Sequence, residues 1–144
     1  MVAKSESSPL RGSIVRDRRG AVLTEFALVA PLLLMILLGI IAYGGYFWRG
    51  HALQQVANDA ARASLAGLTA SERASLARTT VRDGLSGQAG IAPDRATVEV
   101  SEASETITVR VGYDASSEAF FRLGLVPMPA ALIRRSAAVR LGGL

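Results

Sequence analysis

The stretch Arg18-Arg19-Gly20-Ala21-Val22-Leu23-Thr24-Glu25-Phe26, running on through Ala27-Leu28-Val29-Ala30-Pro31-Leu32-Leu33-Leu34 to Trp48, decides how this chain is built. From Phe26 to Trp48 lie 23 residues with no acid or base except the hydroxyls of Tyr43 and Tyr46. As a helix rising about 1.5 Å per residue the run covers about 34 Å, against a bilayer hydrocarbon core of about 30 Å. It is long enough to span a membrane. The apolar region of a cleavable secretory signal is shorter, about 7 to 15 residues, and ends in small residues at its cleavage site. Here the run closes on Tyr43, Tyr46, Phe47 and Trp48, half of the eight aromatic side chains in the chain, a composition suited to the membrane–water interface.

Charge orients the span. Residues 1–20 carry Lys4, Arg11, Arg16, Arg18 and Arg19 against Glu6 and Asp17, a balance of +3 within a net charge of +4. The rest of the chain sets 11 arginines against 10 acids. Lys and Arg concentrate on the cytoplasmic flank of a span, so the N-terminus is expected in the cytoplasm and residues 49–144 beyond the inner membrane, in the periplasm of a bacterium. A nucleic-acid-binding face needs basic side chains spread over a folded surface and interleaved with aromatics. The pattern here does not provide one, and no nucleic-acid partner is expected.

Glu25 breaks the apolar pattern. An acid at the centre of a span costs about 2.5 to 3.5 kcal/mol on insertion scales, and less near the interface. One reading is a shallow, solvated carboxylate favoured by the positive end of the helix dipole. The other is functional, and the surrounding residues supply it. The string Arg18 to Phe26 resembles the processing site of type IV prepilin-like proteins, where a membrane aspartyl peptidase cuts after a glycine and a glutamate stands fifth in the mature chain. On that resemblance the cut follows Gly20, Ala21 becomes the first residue, Glu25 the fifth and Phe26 the sixth. Glycine has no side chain to obstruct a protease approaching the backbone. With Leu38-Gly39-Ile40-Ile41-Ala42-Tyr43-Gly44 added, the stretch resembles the opening of the TadE-like family of the tight-adherence (Tad/Flp) pilus system. The resemblance covers about residues 18 to 50, with Ala42 standing where many members carry an acid. It implies a minor pilin or pseudopilin, with prepilin peptidase, other minor pilins, the major Flp pilin, the inner-membrane assembly platform and the lipid bilayer as its partners.

Glu25 has a physical role that does not depend on the family. Cleavage after Gly20 creates an ammonium group at Ala21, one helical turn from Glu25 and on the same face. Where such helices pack side by side, the carboxylate of one subunit can pair with the terminal ammonium of a staggered neighbour. An unpaired charge in apolar surroundings is costly, so register errors are penalised. Pro31, which lacks an amide hydrogen for the Ala27 carbonyl, is expected to loosen or kink the helix. Gly39 allows close approach of a neighbouring helix, so Glu25, Pro31 and Gly39 are the expected packing positions.

Past the interface, Leu53, Val56, Ala57, Ala60 and Ser64 recur at helical spacing, which carries the helix on to about Ala66. Gly67 ends it, and Thr69-Ala70-Ser71-Glu72 is a capping box for a second helix burying Leu76, Ala77 and Val81 and ending at Asp83 or Gly84. Ser86 to Pro93 reads as a loop. Val98 and Val100, then Ile107, Val109, Val111 and Tyr113, alternate with polar residues around Ala103-Ser104-Glu105, predicting an antiparallel hairpin. Ile133, Ala137, Val139 and Leu141 predict a third strand, with Arg135 on the apolar parity. Between the last two strands, Phe120 and Leu123 are expected to plug the core. The competing reading of this connection is that Leu125, Val126 and Met128 form a contact surface for another pilus component.

The expected class is α+β and pilin-like. Residues 1–20 form a cytoplasmic leader, 21–48 a transmembrane helix, 49–66 its continuation, and 67–144 a small exported domain with a second helix and a three-stranded antiparallel sheet. The chain has no cysteine and a single histidine, His51, which excludes disulfide frameworks, thiolate zinc sites and cysteine nucleophiles, and leaves nothing from which to build a histidine-rich metal site. No phosphate-binding glycine loop or catalytic triad appears, so no cofactor, metal or enzymatic activity is expected. The expectation is a pilus-assembly minor pilin or pseudopilin of the inner membrane, used either as a subunit of the extracellular filament or as an assembly factor. The alternative is an uncleaved single-pass adaptor of a secretion or envelope complex.

Overall fold

The computed structural model describes residues 18–122, 124 and 127–142. Helix α1 spans Arg18–Ser64 and continues through Pro31, whose missing amide hydrogen leaves the helix assignment unbroken. The chain divides into two compact units, one ending at Leu34 and one from Met35 to Leu144. In the first, the apolar side chains of α1 have nothing to pack on among the described residues: Val22, Leu23, Phe26, Leu28 and Val29 are all more than half exposed. The second begins with more of the same, Met35 to Leu37 and then Ile40 and Ile41, before Ala42 is buried. One helix is thus long and apolar enough to cross a membrane, and only 6% of its most apolar stretch is buried.

From Ala52 onward α1 becomes a core helix. Ala52, Leu53, Val56, Ala57, Ala60, Ala61 and Ser64 are buried on one stripe, including every position that the helical spacing singles out. The stripe is mostly alanine, which lets neighbouring elements approach closely. Ser64 is satisfied by donating its hydroxyl to the Ala61 carbonyl at 2.6 Å.

Helix α2, Ala70–Ser86, starts from the predicted capping box: Thr69 Oγ1 accepts from the Glu72 amide, and the Glu72 carboxylate accepts from the Thr69 amide. It buries Ala77, Val81 and Leu85, whereas Leu76 is 38% exposed. The expected end at Asp83 or Gly84 is corrected to Ser86. The reason is contact: a Cβ on Gly84 would lie 3.0 Å from Val56 of α1, so the glycine admits α1 against α2 rather than ending the helix. One turn more of helix then delivers Leu85 to the core.

A 3-10 turn at Pro93–Arg95 leads into strand β1, Ala96–Ala103, which pairs antiparallel with β2, Thr106–Asp114. The hairpin closes on Ser104 and Glu105, both with positive φ (49° and 62°). A one-turn helix α3, Ala119–Arg122, precedes strand β3, Leu132–Arg140, which pairs antiparallel with β2 to give the order β1-β2-β3. Ile107, Val109, Val111 and Tyr113 are fully buried at the centre, joined by Ile133 from β3 and by the stripes of α1 and α2.

Arg135 shares its parity with Ile133 and Ala137, and the structure shows why the sheet tolerates it. A Cβ on Gly50 would sit 2.6 Å from Nη2 of Arg135, so the absence of a side chain on α1 leaves the room that the guanidinium occupies. Next to it, Gln54 Nε2 donates to the Ser136 carbonyl at 3.0 Å, so α1 supplies a partner along the outer edge of β3.

Candidate functional site

Gly20 lies in the first turn of α1, where helix ends fray because their backbone groups lack full intrahelical partners. Its carbonyl, the one that a cut before Ala21 would attack, accepts a hydrogen bond from Thr24 Oγ1 at 2.9 Å. Ala21, Glu25 and Phe26 are exposed, and Ala21 and Glu25 share a face four residues apart. Glu25 meets no hydrogen-bond or ion-pair partner among the described residues. Pro31 is exposed and Gly39 half-buried. The structure therefore brings Gly20, Ala21, Glu25 and Phe26 together on two consecutive turns, with nothing among the described residues covering them.

The other expected surface is only partly within the described residues. Leu125 and Val126 lie outside them, as do Leu123 and the side chain of Phe120. Met128 is half-buried. The aromatic that packs on the core here is Phe121, edge-on to Tyr46 with ring centroids 6.3 Å apart. The aromatic cluster at the end of the apolar run divides its labour. Tyr46 packs on the core and Tyr43 donates its hydroxyl to the Pro127 carbonyl at 2.5 Å, while Phe47 and Trp48 stay 54% and 44% exposed.

A polar cluster that no spacing in the sequence announces ties these segments together. Glu118 Oε2 accepts from Arg49 Nη2 at 2.7 Å, and its Oε1 accepts from the hydroxyl of the fully buried Tyr113 at 3.1 Å. Arg49 also donates to the Gly45 carbonyl on its own helix and to the Gly90 carbonyl before β1. Arg95 approaches Glu118 at 3.9 Å and donates to Ser117 Oγ. One carboxylate thus joins α1, the end of β2 and the turn before α3. The nearby Asp114 carboxyl accepts from the Ser116 backbone amide, which, with the Ser116 hydroxyl, holds it below its ordinary value of 3.8. Partial desolvation opposes that shift, and the charge of Arg95 adds to it. Among the described residues, no three His, Cys, Asp or Glu side chains gather to hold a metal ion.

The family model for TadE-like protein matches residues 20–62, so the chain carries a TadE-like domain lying wholly within α1 and opening at Gly20. No curated protein and no solved structure matches the chain.

Proposed function

We propose that this chain, TadE-like over residues 20–62, is a minor pilin or pseudopilin of the Tad pilus system, cut after Gly20 by prepilin peptidase. One observation carries the reading. An acid five residues beyond a glycine stands at the head of an exposed apolar helix, and neither Glu25 nor the exposed apolar side chains of Val22, Leu23, Phe26, Leu28 and Val29 have a partner among the described residues. Both requirements are met by neighbouring copies or sibling pilins in a membrane or filament. The released ammonium of Ala21 on one subunit neutralises Glu25 on the next, and the exposed Leu, Val and Ile side chains pack against equivalent helices. The protein works by assembly rather than by catalysis, held in the inner membrane with its N-terminus cytoplasmic and its folded domain periplasmic until it enters the pilus.

The test is intact mass after co-expression with and without prepilin peptidase. The expected product begins at Ala21, and Gly20→Leu abolishes it. Glu25→Gln is expected to be cleaved yet to enter pili at a tenth of the wild-type level or less; normal incorporation sinks the pairing model. A second reading, an uncleaved single-pass adaptor, is favoured by one detail, the Thr24 hydroxyl that holds the Gly20 carbonyl inside a helical turn. The same mass measurement separates the two, because the adaptor keeps its arginine-rich leader.

A further inference from the structure

The three-stranded sheet buries one face against α1 and α2 and leaves the other open. On that open face Arg110 of β2 stands opposite Ser136 of β3 and Glu99 of β1, while Gly112 stands between Thr97 of β1 and Arg134 of β3. Arg110 and Arg134 are therefore diagonal neighbours across one strand pair, a separation of about 7–8 Å between Cα atoms. Both are exposed, and no hydrogen bond or ion pair reaches either guanidinium among the described residues. Two like charges so placed repel each other, and the sheet itself supplies only Glu99 nearby.

Between them the surface is hollow. A Cβ on Gly112 would meet Thr97 Oγ1 at 2.6 Å, so this position is kept free of a side chain, and the recess above it has a volume of about 520 Å3. Arg110 and Arg134 line it with Thr97, Ser136 and Glu99, and Arg135 also stands at its wall, so the recess is basic with two hydroxyls and one acid. We propose that this recess is a docking site for an acidic segment of a partner protein, with an Asp or Glu carboxylate entering over Gly112 between Arg110 and Arg134. Arginine presents paired N–H donors in a planar fork that matches a carboxylate, and relief of the repulsion between the two forks adds to the attraction. The single hollow favours an inserted side chain over a broad anionic sheet such as a lipid surface. Glu99 beside Arg110 works against polyanions laid flat on the face. The proposal holds whether or not the chain is cut after Gly20.

The experiment uses the full chain reconstituted in nanodiscs of neutral phosphatidylcholine and a fluorescein-labelled decapeptide of alternating Glu and Thr, followed by anisotropy. Arg110→Gln and Arg134→Gln are each expected to weaken binding at least fivefold, and the double variant at least twentyfold. Arg62→Gln, which removes an exposed arginine from α1, is expected to leave it unchanged. Circular dichroism of each variant confirms the fold. Equal binding by all four variants and the wild type, or no binding by the wild type, overturns the proposal. So does displacement of the peptide by inorganic phosphate or phosphatidylglycerol vesicles at charge concentrations where free glutamate-rich peptide displaces it no better.

Discussion

Glu118 accepts from both Arg49 and Tyr113 and lies 3.9 Å from Arg95, so its loss should be felt directly. Replacing it with Gln keeps the shape but removes the charge that Glu118 presents to the Arg49 guanidinium, whose side chain is 12% exposed. The expected cost is about 1.5–3 kcal/mol, the range for a charge-assisted hydrogen bond in a partly buried setting. Urea unfolding of Glu118→Gln, Arg49→Gln and the double variant checks this, the double variant being expected to cost less than the sum. Sequence reading singled out Gly20 and Glu25 but missed this pair, for a physical reason. The first two are five positions apart on one helix, where spacing is geometry; Arg49 and Glu118 are 69 residues apart and meet only after the sheet has formed. Arg135 carried a legible clue, a charge on an apolar parity, but its explanation sits on Gly50 of another element.

Elements were more legible than contacts. The capping box placed the start of α2 at the residue, because its two hydrogen bonds are encoded within four positions. The end was misjudged because Gly84 reads locally as a stop and tertiarily as a close approach to Val56. The hairpin was expected from period-two alternation, and its turn carries a cost that the alternation does not reveal. Ser104 and Glu105 both take left-handed φ values, a conformation that costs L-residues about 1–2 kcal/mol each relative to their right-handed form. Asn-Gly is the pair such two-residue turns prefer. Ser104→Asn with Glu105→Gly is therefore expected to raise the stability of the domain by about 1–2 kcal/mol. Differential unfolding in urea reads the gain, and unchanged stability would show that the turn relaxes in solution.

For the whole molecule, the unit that begins at Met35 draws its core from early and late parts of its own sequence. Leu53, Val56 and Ala57 near its start and Ile133 near its finish occupy the same cluster. A fragment from residue 43 to 144 is therefore expected to unfold cooperatively, whereas one from residue 66 to 144, stripped of the α1 stripe, is expected to stay molten. Near-ultraviolet circular dichroism from Tyr113 distinguishes them. Because Leu53 of α1 and Ile133 of β3 share one interior, the unit cannot finish folding until β3 has been made. A chain interrupted before β3 is thus left with one edge of β2 unpaired and its interior open, so completion of that strand is its own checkpoint on folding.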